Sequence, residues 1–192
     1  MDAMKTQPKA TTRAEQARQT KAGILTVALR LFSQRGYDAT SLQDIADEMG
    51  LTKAAVYYHF RSKVELLQAV CEPVCEKISE VIDSAAGLRS RRQKINVIGS
   101  GFVEVMLGQR AVMSLLASDP VMSGRVEAAR SMDDLLDRVL EAIYGPAPSP
   151  EQRLAIYAVP GLGDAIAALP DLTEDELRPL LLRAVKRLVP ER

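Results

Sequence analysis

Tryptophan is absent from these 192 residues, histidine occurs once and cysteine twice. Two cysteines, Cys71 and Cys75, make no disulfide framework and suit a reducing compartment. They lie four residues apart with no further cysteine and no histidine beside them, a poor zinc set, so packing is their expected role. Neither a nucleophile elbow nor a phosphate loop is present. The "GSG" at 99–101 follows no strand, so it does not form a nucleotide-binding turn. The opening "MDAMKTQPKATTRAEQARQT" lacks the apolar stretch of a secretory signal. No apolar run reaches the roughly 18 residues that a membrane helix needs. These absences point to a cytoplasmic protein that is not an enzyme, holds no metal or cofactor and has no membrane partner.

What is present is a helical pattern. Hydrophobic residues make up 47% of the chain, ample for a core and too many for disorder. The formal charge is zero, but unevenly spread. Residues 1–65 carry ten Lys/Arg against seven Asp/Glu, and residues 66–192 carry fifteen against eighteen. A basic first third on an acidic remainder suits a polyanion-binding head on a separate body. Residues 1–13, with Lys5, Lys9 and Arg13, read as a disordered basic arm. From about Glu15, apolar Ile24, Leu25, Ala28, Leu31 and Phe32 fall on one helical face, and Gly36 ends that helix. Thr40 with Gln43 reads as a capping box opening a short helix that ends at Gly50. Thr52 caps the next, Lys53 to Phe60. A long helix runs from about Ser62 to Gly87, and Pro73 should kink it by removing one backbone hydrogen bond. Further helices are expected over 88–107, 109–118, 123–144, 150–168 and 174–189. Thr173 and Glu176 form another capping box at the start of the last. No strand pattern and no internal repeat occur. The expectation is an all-α fold of about nine helices: the arm, a three-helix domain over 14–65, and a larger helical bundle over 66–192.

Three of the eight Tyr and Phe rings, and the only histidine, sit in four consecutive residues, Tyr57, Tyr58, His59 and Phe60. Four successive helical residues point to every side, so one core cannot take them all. Two short helices joined at Gly50, with small Ala46 at their crossing and Ile45, Met49, Leu51 and Val56 in the wedge, form a helix-turn-helix pattern. The second helix of such a pair enters the major groove with its first turn at the bases. Lys53 could donate to guanine or to a phosphate there, while Ala54 and Ala55 allow close approach and could touch thymine methyls. Tyr57, Tyr58 and His59 fall one turn on, against the sugar-phosphate wall. Phe60 is expected to turn inward. Thr40, Thr52 and Lys63 sit at or near helix N-termini, which favour a phosphate, although the threonines are equally read as caps. Gln43 is either the capping partner or a base reader.

Residues 20–67, "TKAGILTVALRLFSQRGYDATSLQDIADEMGLTKAAVYYHFRSKVELL", resemble the DNA-binding domain of the TetR family of transcriptional regulators. The likeness is carried by "IL..AL.LF...G", by "TS..DIA..MGL" and most of all by "LTKAAVYYHFRSK". It covers about a quarter of the chain, and it departs from the commonest family pattern at Ala54, where glycine is frequent. The resemblance implies a homodimeric repressor on a palindromic double-stranded DNA operator, released by a ligand. It also implies that Tyr57, His59 and Lys63 bind backbone phosphate.

The body is read with the same two sources. "ELRPLLLRAVKRLV" carries an apolar stripe wide enough to face both its own body and a second copy. With 150–168 it is the expected dimer seam, as the resemblance also implies. Residues 95–124 contain only Glu104, Arg110 and Asp119 as charged groups. The resemblance places an inducer pocket among these central helices, and the apolar lining suits a hydrophobic small molecule. Phe102, Met106, Met113 and Tyr144 are the candidate effector contacts, against the plainer reading of methionine as core filling. An adaptor that offers its helix pair to a protein rather than to DNA is the rival reading. Salt-sensitive DNA binding separates the two.

Overall fold

A computed structural model describes residues 12–118 and 127–191 of the chain. All but Thr12 and Arg13 of the expected basic arm, and the break at Asp119-Pro120, lie outside the described residues. The helices are α1 (Arg13–Arg35), α2 (Leu42–Glu48), α3 (Lys53–His59), α4 (Lys63–Ser84), α5 (Arg91–Gly108), α6 (Arg110–Ser118), α7 (Glu127–Tyr144), α8 (Pro150–Ala158), α9 (Leu162–Ala167) and α10 (Glu174–Leu188). No strand occurs among the described residues.

Several helix starts have a side-chain cap. Thr12 opens α1 by accepting from the Glu15 N–H at 3.2 Å, while Glu15 accepts from the Thr12 N–H at 2.7 Å. Ser149 and Gln152 open α8 in the same reciprocal way, as do Thr173 and Glu176 for α10. The start of α2 departs from expectation by one residue. Ser41 is the cap and Asp44 its partner, with the Ser41 N–H donating to Asp44 Oδ2 at 2.7 Å. The Ser41 hydroxyl and then its N–H hold the Asp44 carboxyl below the usual carboxylate range. A lowered pKa means that this cap holds near neutrality and weakens only as acid protonates Asp44. The segment expected as one helix over 150–168 is also divided. Val159–Gly161 form a 3-10 turn between α8 and α9, because Pro160 has no N–H to donate back to Ile156. Pro73, by contrast, lies within α4 on its exposed side without interrupting it.

Packing makes one continuous core. Ile24, Ala28, Leu31 and Phe32 bury the face of α1 that the periodicity predicts. Helix α4 joins head to body: Leu66, Leu67 and Val70 pack toward the head, while Val74, Ile78 and Ile82 continue into the bundle. It lies against α1, α5 and α7, and α5 in turn carries α10. The approach of α4 to α5 requires a residue without a side chain at 101, since a Cβ on Gly101 would sit 2.5 Å from a Val81 methyl. Polar contacts fasten the layers from outside. Arg178 on α10 grips Glu104 on α5 at 2.8 and 3.2 Å, and Arg138 on α7 donates to Ser79 and Asp83 of α4, both at 2.9 Å. Burial pushes the Cys71 thiol up to about 12, and it raises the Cys75 thiol too. Thiols held protonated in this way are poor nucleophiles, in keeping with a packing role.

Candidate nucleic-acid interface

The helix pair α2–α3 is locked by its turn. Gly50 adopts φ +62°, which strains no residue that lacks a Cβ, and the Leu51 N–H returns to the Ala46 carbonyl at 2.9 Å. Ile45, Ala46 and Val56 are wholly buried in the angle between the helices. With Val56 and Phe60 turned inward, the other faces of α3 must turn outward. Tyr58 is 80% exposed and Tyr57 43%, while Phe60 is 1% exposed. Lys53, Ala54 and Thr52 are exposed at the leading end of α3, and Ala55 and His59 are half-buried. The Lys53 ammonium lies 5.6 Å from the centre of the Tyr57 ring, and Tyr58 meets His59 edge to face at 5.1 Å. Thr52 caps α3 by accepting from the Ala55 N–H at 3.2 Å, and its exposed position leaves it at the same surface.

Three of the sequence-derived candidates are placed differently. Thr40 is 1% exposed, and its hydroxyl donates inward to the Gly36 carbonyl at 2.9 Å. It serves the turn that precedes α2, and its hydroxyl is turned away from solvent. Gln43 is not a capping partner; its amide donates to Asp47 Oδ1 at 2.6 Å on the exposed side of α2. Lys63 is half-buried, with its ammonium turned back onto the Tyr37 and Asp38 carbonyls. An open groove of about 520 Å³ runs between the start of α2 and the α3–α4 junction, lined by Ser41, Gln43, Lys53, Tyr57, Arg61 and Lys63 among others. Arg61, exposed at this groove, escaped the reading of the sequence. Its signal was there, a lone cation between the buried Phe60 and the Ser62 cap of α4. Exposed cations, two phenols and an imidazole on and just beyond α3 can donate hydrogen bonds to a polyanion.

The body holds a small apolar cavity of about 40 Å³ between α4, α5, α7, α8 and α10. Phe102 lines it, with Ile78, Ile95, Ile98, Leu136, Val139, Ile143, Ile156, Val185 and Val189 among the other walls. The other candidate effector residues are not in that lining. Met106 and Met113 are buried core side chains, and the Tyr144 hydroxyl donates to the Pro190 carbonyl at 2.8 Å. The aliphatic wall was missed because isoleucine and valine at helical spacing look the same in a sequence whether they line a cavity or fill a core. Among the described residues no group of three or more His, Cys, Asp or Glu is placed to hold a metal ion. No described helix is long and apolar enough to cross a membrane.

Residues 24–70, from α1 through the helix pair into α4, match the model of "Bacterial regulatory proteins, tetR family". The first part of the chain thus carries a TetR-type DNA-binding domain. Its head is 43% identical over 67 residues to the HTH-type transcriptional regulator AcrR of Shigella flexneri, covering 35% of this chain and 31% of AcrR. It is 37% identical over 62 residues to IcaR of Staphylococcus aureus strain Newman, described as a biofilm operon icaADBC HTH-type negative transcriptional regulator, covering 32% of this chain and 33% of IcaR. The match thus spans about a third of the length of these curated relatives. Beyond the head, the likeness is one of fold. The crystal structure of SCO3833, a TetR-family regulator from Streptomyces coelicolor A3, superposes with a TM-score of 0.66 over 87% of this chain and 90% of that one, at 21% identity.

Proposed function

We propose that this chain is a sequence-specific DNA-binding transcriptional repressor of the TetR family, acting in the cytoplasm as a homodimer and released from its operator by an apolar ligand. The observation that carries the reading is the division of rings on α3: Phe60 in the core, Tyr57 and Tyr58 in solvent beside Lys53. Exposed tyrosines add little to the fold of a monomer, but they supply hydrogen-bond donors and flat apolar faces to a sugar-phosphate strand. In this reading Lys53, Ala54 and Ala55 meet the base edges, and Thr52, Tyr57, Tyr58, His59 and Arg61 meet phosphates. Gln43, on the groove-facing side of α2, adds a base or phosphate contact. Repression is supported by the role of IcaR as a negative regulator, since its head resembles this one.

One head reads only a few base pairs, so two copies on successive turns of one face of the duplex are needed. A second copy on α8 and α10 is supported by the exposed apolar side chains there, Leu154, Tyr157 and Leu180. In this reading the ligand enters the cavity lined by Phe102. At about 40 Å³ it is far smaller than the roughly 300 Å³ that a drug-sized molecule needs, so binding must push its walls apart. One of those walls, Ile78, is on α4, whose other end carries the head. Ligand-driven displacement of α4 would alter the spacing of the two heads, and by linkage DNA would weaken the ligand by the same factor.

Selection from a random duplex library by the full-length protein tests this. Enrichment of an inverted repeat with half-site centres about one helical turn apart is the expected result. A single unpaired half-site, or no enrichment, would count against the dimeric reader.

A further inference from the structure

The walls of the cavity beside Phe102 are hydrocarbon side chains and Gly99. A hydroxyl, amide or charge placed inside would lose its water and find no partner. Any polar group of a ligand must therefore lie beyond an end of the lining. At one end stand Ile95, the first lining residue of α5, Ile143, the last of α7, and Val189, just past α10. Helix α5 runs antiparallel to the other two. Its Lys94 ammonium donates to the Ala142 carbonyl at 2.8 Å, and its Arg92 pairs with Glu191 at 3.7 Å. Arg91 stands over this end. Positions 91, 95, 98 and 102 share one helical face, so Arg91 continues the cavity-lining face of α5 by one turn. Its guanidinium lies 5.3 Å from the centre of the Tyr144 ring, whose hydroxyl is tied to the Pro190 carbonyl at 2.8 Å. Charge pairing singles out the same residue. Arg178, Arg138 and Arg153 each have a carboxylate, Glu104 at 2.8 Å, Asp83 at 2.9 Å and Asp137 at 3.7 Å. Among the described residues no carboxylate pairs with Arg91, and Glu191 at this end is taken by Arg92. A guanidinium held by an aromatic face at the surface can exchange it for the stronger, two-pronged hydrogen bonding of a carboxylate.

We propose that the ligand of this cavity is a straight-chain carboxylate, with its hydrocarbon tail between the apolar walls and its carboxylate on Arg91. The inference rests on the reading of the cavity as the ligand site, and it names the class of ligand. From Arg91 to Phe102 the axis of α5 advances about 16 Å. An extended chain of about ten to twelve carbons spans that length. The tail parts the walls, as the small volume of the cavity requires, while the head has only to displace the Tyr144 ring from Arg91.

Calorimetric titration of the full-length protein with decanoate, and with 1-decanol as the uncharged chain of equal length, tests this in wild type, R91M and G99A. R91M removes the charge at an exposed position. G99A puts a methyl into the cavity, about 3.0 Å from a Val185 methyl. The wild type should bind decanoate about tenfold or more tighter than decanol, the worth of a charge-assisted hydrogen bond. R91M should lose that preference by weakening decanoate alone, and G99A should weaken both ligands. The proposal is overturned if decanoate does not bind, if the wild type binds the two alike, or if R91M keeps the preference. It is equally overturned if G99A leaves decanoate binding unchanged, since the tail would then lie elsewhere. Should G99A not fold, competition decides the same point: decanol that displaces decanoate from the wild type supports the shared cavity, and decanol that binds without displacing it overturns the proposal. Decanol binding without decanoate would overturn the carboxylate and leave an apolar ligand standing. Decanoate that binds as expected yet does not weaken the enriched duplex would sustain this inference and count instead against release by ligand.

Discussion

Phe60→Ala should cost about 3–5 kcal/mol of stability, whereas Tyr58→Ala, two residues earlier, should shift stability by less than about 0.5 kcal/mol. The contrast follows from where the two rings lie. Phe60 is among the most buried large side chains of the head, in the same core as Val56, Leu66 and Ile24. Its loss leaves a ring-sized void that fixed backbone on α3 and α4 cannot close. Tyr58 is 80% exposed and touches His59 edge to face, so the fold hardly depends on it. Binding should show the opposite order for a given amount of folded protein. A hydrogen bond to a charged phosphate contributes about 1.5–3 kcal/mol, so Tyr58→Ala should lose about tenfold or more for each head on DNA. Thermal melts followed by circular dichroism, with duplex titration well below the transition, measure both. A Tyr58→Ala variant that melts as early as Phe60→Ala would mean that the ring belongs to the core.

The second large effect concerns assembly. Among the described residues, the large apolar side chains left exposed beyond α4 are Val97, Leu154, Tyr157, Leu169, Leu180 and Leu188. Single exposed leucines are ordinary, but all of these except Val97 fall at or beyond residue 154, on α8, α10 and the turn before α10. Leu154, 73% exposed on a helix with its own buried face, has no use within one copy. The double variant Leu154→Glu, Leu180→Glu places two carboxylates on that surface, and on both sides of the proposed two-fold contact. It should sediment as a folded monomer. Linking two heads raises affinity by about 10²–10⁴ over one, so the variant should lose that factor on the enriched duplex while each head keeps its fold. An unchanged dimer would move the seam elsewhere.

Much of the fold is legible in the sequence because local chemistry decides it. Gly36 and Gly50 mark turns that do need positive φ, and the apolar spacing on α1 names the residues that are buried. The separation of Phe60 from Tyr57 and Tyr58 also follows from helical geometry and one buried neighbour, Val56. Elsewhere two adjacent residues could do the same local job. Thr40 and Ser41 are both competent caps, and the choice falls to Ser41 because the Thr40 hydroxyl is needed by carbonyls of the preceding turn. Spacing along one helix cannot reveal such a demand. Long-range partners are equally hidden. That Lys63 serves the Tyr37 and Asp38 carbonyls, or that Tyr144 reaches the Pro190 carbonyl, depends on segments brought together by folding. The division at Pro160 is available in principle, since a proline within an expected helix removes a hydrogen bond wherever it sits. That Pro73 and Pro179 lie within unbroken helices while Pro160 lies in a 3-10 turn is a tertiary outcome.

The proposed repression requires α3 to be an exposed head that grips the sugar-phosphate strands of a duplex. The most direct measurement is the affinity of the full-length protein for its enriched duplex as a function of salt. With Arg61 neutralising a phosphate in each of two heads, the slope of log K against log salt should be about −1.8 or steeper. A slope near zero, or no duplex binding at low salt, would contradict it.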